Sequence, residues 1–97
     1  MKSYRVVIEP EAQQDLENIY DFISTNDTQI QALRFLRKLQ KAIESLGFMP
    51  QRCRQSIYIQ NDEVHDMIIQ GYTICYAIKE DENSVHILAV FRQRPVH

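Results

Sequence analysis

Glycine is almost missing from this chain: only Gly47 and Gly71 occur in 97 residues. A phosphate-cradling loop needs several glycines so that backbone N–H groups can approach the anion, so no such loop is encoded. Tryptophan is absent and there are three prolines. Two cysteines, Cys53 and Cys75, fall short of the dense disulfide framework that staples small secreted domains. One Cys53–Cys75 bridge remains as the alternative to two free thiols, and Cys75, set in an apolar run, reads as a small core residue. There is no CxxC and no clustered His/Cys set, so a structural zinc would lack ligands, and the residues ask for no metal or cofactor. No apolar run is long enough to span a bilayer. The opening Met1-Lys2-Ser3-Tyr4 runs straight into a strand-like pattern instead of a signal peptide, so a cytoplasmic protein with no membrane contact is expected.

What is present is ordinary in amount and uneven in placement. Apolar residues make up 44% and charged residues 25%, as in a globular domain, and the length suits one domain spanning 1–97. The formal net charge is only -2. Residues 1–29 carry Glu9, Glu11, Asp15, Glu17, Asp21 and Asp27 against Lys2 and Arg5, whereas residues 30–54 carry Arg34, Arg37, Lys38, Lys41, Arg52 and Arg54 against Glu44 alone. An acidic segment thus precedes a basic one, to be read either as internal pairing between neighbouring helices or as a basic binding face.

Periodicity supplies the architecture. Residues 4–8 are β-branched and aromatic, as a strand requires. Pro10 suits the first turn of a helix, and Ala12, Leu16, Ile19, Tyr20 and Ile23 form one helical stripe. After the polar break 24–28, where Asp27 or Thr28 can cap, a second helix carries Leu33, Leu36, Leu39, Ile43 and Leu46. Gly47 is expected to end it in a left-handed conformation, with Pro50 preventing resumption. A connector over 49–56 precedes a change of period from 3.6 to 2: a strand over 64–69 with an extended 57–59 before it, a bend at Gln70-Gly71, a strand over 72–78 and a last strand over 85–91. The predicted fold is α+β, in the order β-α-α-β-β-β, with a helical hairpin packed on a small antiparallel sheet.

Chemistry is sparse. None of Ser3, Ser24, Ser45, Ser56 or Ser84 sits in a nucleophile-elbow context. Arg34, Arg37, Lys38 and Lys41 share one face of the second helix, opposite the leucines; a solvated face accounts for them, and an acidic partner is the sharper reading. Arg92 and Arg94 follow the last strand, where the planar guanidinium fork suits phosphate or carboxylate, and a charged surface terminus is the plain alternative. His65 and His86 alternate with apolar residues inside strands, a setting that is more often structural than catalytic, and His97 is terminal.

The whole layout resembles the RelE/ParE superfamily of bacterial toxins, and more so its ParE (plasmid-stabilisation) branch. The resemblance runs through Tyr4-Arg-Val-Val-Ile-Glu-Pro-Glu-Ala12, Asp15-Leu16-Glu-Asn-Ile-Tyr20-Asp21-Phe-Ile23, Ala32-Leu-Arg-Phe-Leu36, Leu39-Gln-Lys-Ala42-Ile43-Glu-Ser-Leu46 and Met49-Pro50-Gln-Arg52, then through Gly71-Tyr72-Thr-Ile74-Cys-Tyr76 and Val85-His-Ile87-Leu88-Ala-Val90. It implies a type II toxin–antitoxin pair, with an extended or helical segment of a ParD-like antitoxin wrapped around the helical hairpin and sheet. Leu16, Tyr20, Arg34, Arg37, Lys38 and Lys41 are then the antitoxin-facing residues. ParE-like members poison DNA gyrase by binding it; RelE-like members cut mRNA, generally at the ribosome. RelE-like nucleases typically carry an arginine just before the Gly-Tyr stretch, where this chain reads Met67-Ile68-Ile69-Gln70. The resemblance therefore points to a gyrase-binding toxin that is not an enzyme, contacting its target through Arg52, Arg54, Arg92 and Arg94. The alternative is an mRNA interferase using Arg52, Arg54, His65, Arg92 and Arg94, and a third reading is an inactive relative that only binds antitoxin. The sequence pI of 5.9 also sits poorly with a wide RNA footprint.

Overall fold

A computed structural model describes residues 3–92. The elements are β1 (Arg5–Ile8), α1 (Pro10–Asn26), α2 (Gln29–Ser45), β2 (Arg54–Gln55), β3 (Val64–Ile69), β4 (Tyr72–Lys79) and β5 (Ser84–Arg92), with short 3-10 turns at Pro50–Arg52 and Glu80–Glu82. The strands form one sheet in the order β1-β5-β4-β3-β2. This is the expected α+β hairpin-on-sheet arrangement, with two corrections. The sheet is mixed, because β1 runs parallel to β5, and the two-residue β2 adds a fifth strand beside β3. Alternation shows which side chains share a face; it says nothing about the direction of a neighbour that lies far away in the chain.

Local chemistry explains the boundaries. Pro10 opens α1, where a missing N–H costs nothing. Thr28 Oγ1 accepts from Gln31 N at 3.1 Å and caps α2. Gln70 (φ 48°) and Gly71 (φ 83°) make the tight turn between β3 and β4, where two consecutive left-handed residues match the strand twist. Gly47 is not left-handed. Its carbonyl accepts from Tyr4 N at 2.7 Å, and a Cβ there would lie 3.0 Å from the Tyr4 oxygen, so close backbone approach is what demands glycine. Residues 57–59 are not a strand; they lie in an irregular loop over 56–63.

The main core lies between the helices and one face of the sheet. Ala12, Leu16 and Ile19 of α1 and Leu39, Ile43 and Leu46 meet Ile74, Tyr76 and Ile78 of β4 and Val85, Ile87 and Val90 of β5. Leu33, expected in this stripe, is 46% exposed. At 100° per residue it points about 120° away from Leu39, whereas Leu36 is only about 60° off and stays half-buried. A register shift at Cys75/Tyr76 leaves Leu88 without a partner on β4, so Ile87 and Val90, three residues apart, both face the helices. Among the described residues no strand lies beside the edge of β5 beyond Ile8, and Asp15 Oδ2 of α1 accepts from Val90 N at 2.9 Å there.

The opposite face holds a smaller cluster of Val64, Cys75 and Ala77 with Leu88, Ala89 and Phe91. The 56–63 loop leans over it. Tyr58 meets Phe91 edge-on at 5.0 Å, and the buried Asp66 accepts from Ile57 N at 3.1 Å.

Candidate partner-binding surfaces

The described members of the nuclease set proposed from sequence, Arg52, Arg54, His65 and Arg92, do not converge. Arg52 is bound to the end of α2: Nη1 donates to the Phe48 carbonyl at 2.6 Å and to those of Met49 and Ser45, and Nη2 to Ser45 Oγ at 2.9 Å. It satisfies carbonyls that a helix C-terminus leaves open. His65 lies on the helix side of β3, its ring stacked on Tyr76 at 5.7 Å and its Nδ1 2.9 Å from the Cys53 carbonyl. Arg54 lies on the other face, 3.8 Å from the Asp66 carboxylate. Arg92 sits three strand spacings from Arg54, about 14 Å across the sheet. Its groove, of about 400 Å³, is shared with Asp15, Asn18, Ile19 and Phe22 of α1 and with Tyr72 and Val90. Arg94 lies outside the described residues. A proton acceptor, a donor and a phosphate clamp within reach of one scissile bond are not assembled from the described members of this set.

A different constellation has no counterpart in the sequence reading. Ser84 Oγ lies 3.0 Å from His86 Nε2, and His86 Nδ1 lies 2.7 Å from Glu9 Oε1. The connectivity is that of a hydrolytic triad, but Ser84 is 0% exposed, so no substrate can reach its oxygen. The chain acts as a strut joining the start of α1 to β5, and it explains why Glu9 leaves α1 without a side-chain cap. The Ser-x-His spacing, which places both side chains on one strand face, was its legible half. Asp66 and Thr73 each bury one oxygen that has no hydrogen-bond partner among the described residues. Burial, together with the Asp66 carboxylate, pushes the Cys75 thiol up to about 11. Both cysteines are free.

The residues expected to face an antitoxin divide between two grooves. Tyr20 and the edge of the buried Leu16 line one of about 320 Å³ between the helices, with Ile8, Gln13, Glu17, Asp21, Leu36 and Gln40. Arg34, Arg37, Lys38 and Lys41 line another of about 450 Å³ on the far side of α2, with Gln31, Phe35 and Gln70 of the β3–β4 turn. No ion pair links the acidic α1 to the basic α2 among the described residues. The four cations form like-charged neighbours at i,i+3 and i,i+4, each costing the helix about 0.2–0.5 kcal/mol.

The sequence profile of the ParE toxin of the type II toxin–antitoxin system parDE matches residues 6–96. The chain belongs to the ParE toxin family. It is therefore the toxin member of a type II toxin–antitoxin system. No curated protein sequence matches it. Its fold is shared by the chromosomal ParDE system of P. aeruginosa, with a TM-score of 0.81 at 14% identity over 97% of this chain and 100% of that one. The RelBE2 toxin–antitoxin complex of Mycobacterium tuberculosis gives 0.73 at 19% identity, covering 96% and 94%. A mutant of the E. coli toxin RelE in the free state gives 0.65 at 10% identity, covering 93% and 83%. Among the described residues of this ParE-family toxin, no helix is long and apolar enough to cross a membrane, and no group of three or more side chains is placed to hold a metal ion.

Proposed function

We propose that this ParE-family toxin arrests growth by binding DNA gyrase in the cytoplasm, without chemistry of its own, and that a ParD-like antitoxin docked on the α1–α2 hairpin neutralises it. The observation that carries this reading is the scatter of the basic and histidine residues. Arg52 is bound to the end of a helix, His65 is held against Tyr76 on the helix side, and Arg54 and Arg92 stand about 14 Å apart across the sheet. Binding a protein target asks only for a surface with apolar anchors and flanking charge. The sheet face away from the helices offers one in Tyr58, Ile59, Ile57 and Ile68, all exposed, with Phe91 beneath Tyr58 and Arg54 alongside. Arg92, at the helix-side edge of that sheet beside α1, and Arg94, two residues further along the chain, add a charged contact element.

The test is expression of the toxin without antitoxin, followed by gyrase supercoiling and ribosomal mRNA cleavage assays on the purified protein. Inhibited supercoiling with intact mRNA is expected. Cleaved mRNA with gyrase unaffected would overturn the target, and the absence of both activities together with no growth arrest would mark a relative that only binds antitoxin. Arg92→Ala combined with Arg94→Ala should abolish toxicity while leaving antitoxin binding and the thermal transition intact.

A further inference from the structure

The two grooves that flank α2 differ in chemistry, and the difference bears on what fills them. In the basic groove the four cations stand over about 10 Å of helix axis, the rise of seven residues. None of them makes a hydrogen bond or ion pair among the described residues, and no carboxylate lines the groove. Glu17 and Asp21 of α1, which could have neutralised them, face the other groove. The chain as a whole is negative, so the uncompensated charge is local and does not reflect a generally basic protein. Four like charges on neighbouring turns also repel one another, so folding alone does not favour the arrangement.

We propose that this groove, between α2 and the β3–β4 turn, receives an acidic peptide segment of the antitoxin, while the α1–α2 groove receives a neighbouring apolar part of the same segment. The proposal rests on the reading of the hairpin as the antitoxin-binding surface and states the chemistry of that partner. A peptide fits better than a nucleic acid backbone for two reasons. The positive field is only two helical turns long, and the acidic residues of α1 across the hairpin would repel a polyanion running beyond it. Carboxylates also match the arginine forks of Arg34 and Arg37, and the half-buried Phe35 gives the groove floor an apolar surface for side-chain methylenes. Because α2 with its side chains is only about 10–12 Å wide, a few extended residues span from one groove to the other. The grooves then divide the work: the exposed charges draw the partner in and set the association rate, and the apolar side around Tyr20 and Leu36 sets how long it stays.

The experiment compares the natural toxin with Arg37→Glu/Lys41→Glu and with the milder Arg34→Gln/Lys38→Gln, each checked for an unchanged circular dichroism spectrum and melting curve. A short fluorescein-labelled peptide of alternating glutamate and alanine is titrated against each by anisotropy, with labelled oligothymidylate in parallel. Association and dissociation of the cognate antitoxin are then measured at low and high salt. The peptide should bind the natural toxin and lose about tenfold or more in affinity on charge reversal, with the glutamine pair in between. The antitoxin association rate should fall about tenfold at low salt, converge with the natural rate at high salt, and leave dissociation unchanged. Equal peptide binding by all three proteins, or tighter binding of oligothymidylate than of peptide, overturns the acidic-segment assignment. Antitoxin kinetics unaffected by reversal overturns the role of this groove while leaving the hairpin reading in place. An antitoxin that does not bind the natural toxin at all defeats the hairpin reading itself, and with it the proposal, whatever the peptide does.

Discussion

The two faces of the sheet are built from the same strands and serve different ends. Toward the helices, Ile74, Tyr76 and Ile78 alternate into a core sealed by Leu39, Ile43 and Leu46, and the Tyr76 hydroxyl donates to the Pro50 carbonyl at 2.6 Å. On the other side, Thr73, Cys75 and Ala77 meet only a thin cluster under a loop whose Ile57, Tyr58 and Ile59 stay exposed. One face is closed by two helices; the other leaves large apolar side chains exposed and, among the described residues, two buried oxygens, on Asp66 and Thr73, without a hydrogen-bond partner. Stability should therefore be concentrated on the helix side and binding capacity on the other.

Removing a core side chain tests that contrast most severely. Leu39 is fully buried between α2 and the sheet, so Leu39→Ala should cost about 2–5 kcal/mol in urea unfolding. A loss below about 1 kcal/mol would mean that the helix-side core collapses around the cavity, and the contrast between the faces would weaken.

Neighbouring residues of β4 allow the faces to be titrated separately. Cys75 points away from the helices and Tyr76 toward them. Burial, joined by the Asp66 carboxylate, raises the thiol from 9.0 to about 11, and burial also pushes the Tyr76 phenol upward. The folded chain thus holds these protons at pH values where the unfolded chain has released them. Stability is intact below about pH 9 and is lost as pH rises, with Cys75 contributing a loss of about 3 kcal/mol between pH 9 and 11. Cys75→Ala should remove the part of the decline that begins near pH 9, and Tyr76→Phe the part that begins above the ordinary phenol value of 10.0. Identical pH profiles for the natural chain and both variants would show that neither face is closed to ionisation.

The strut at the sheet edge comes next in size. His86→Ala breaks the link from Ser84 to Glu9 and leaves Ser84 Oγ buried without that partner, at a cost of about 1–2 kcal/mol. Glu9→Gln keeps an acceptor for His86 and should cost less than half as much. An equal loss in both variants, measured by thermal melting, would locate the contribution in charge instead of in hydrogen bonding.

How much of this was legible in the sequence follows from what side-chain pattern encodes. The helices, the hairpin and three of the later strands follow from apolar spacing and capping residues such as Pro10 and Thr28, whose effects are local. The parallel pairing of β1 with β5 and the two-residue β2 involve partners remote in the chain, and no local signal carries them. Gly47 was read for its φ because that is the commonest use of glycine at a helix end; the Tyr4 carbonyl 3.0 Å from its missing Cβ becomes visible only once β1 is placed. Arg52, Arg54, His65 and Arg92 were grouped through the family resemblance by residue type and place in the chain, and such grouping ignores which sheet face each occupies and which groups already hold it. The basic stripe on α2 fared better, since offsets of 3, 4 and 7 place residues on one face of any helix.

The smallest expected effect on stability is the one that separates the faces most cleanly. Ile59 is 41% exposed and lies outside both apolar clusters. Ile59→Ser removes an apolar side chain that is about two-fifths in water and belongs to neither core cluster, so the change in unfolding free energy should stay within about 1 kcal/mol. Under the binding reading the same change strips an anchor from the target surface, so gyrase inhibition should fall severalfold while antitoxin affinity, set on the other side of the molecule, stays constant. If the loop served instead to shield Cys75 and Ala77, the substitution would lower the melting temperature and leave inhibition per folded molecule unchanged. Paired melting and supercoiling measurements on this one variant therefore distinguish a loop that presents a surface from a loop that covers one.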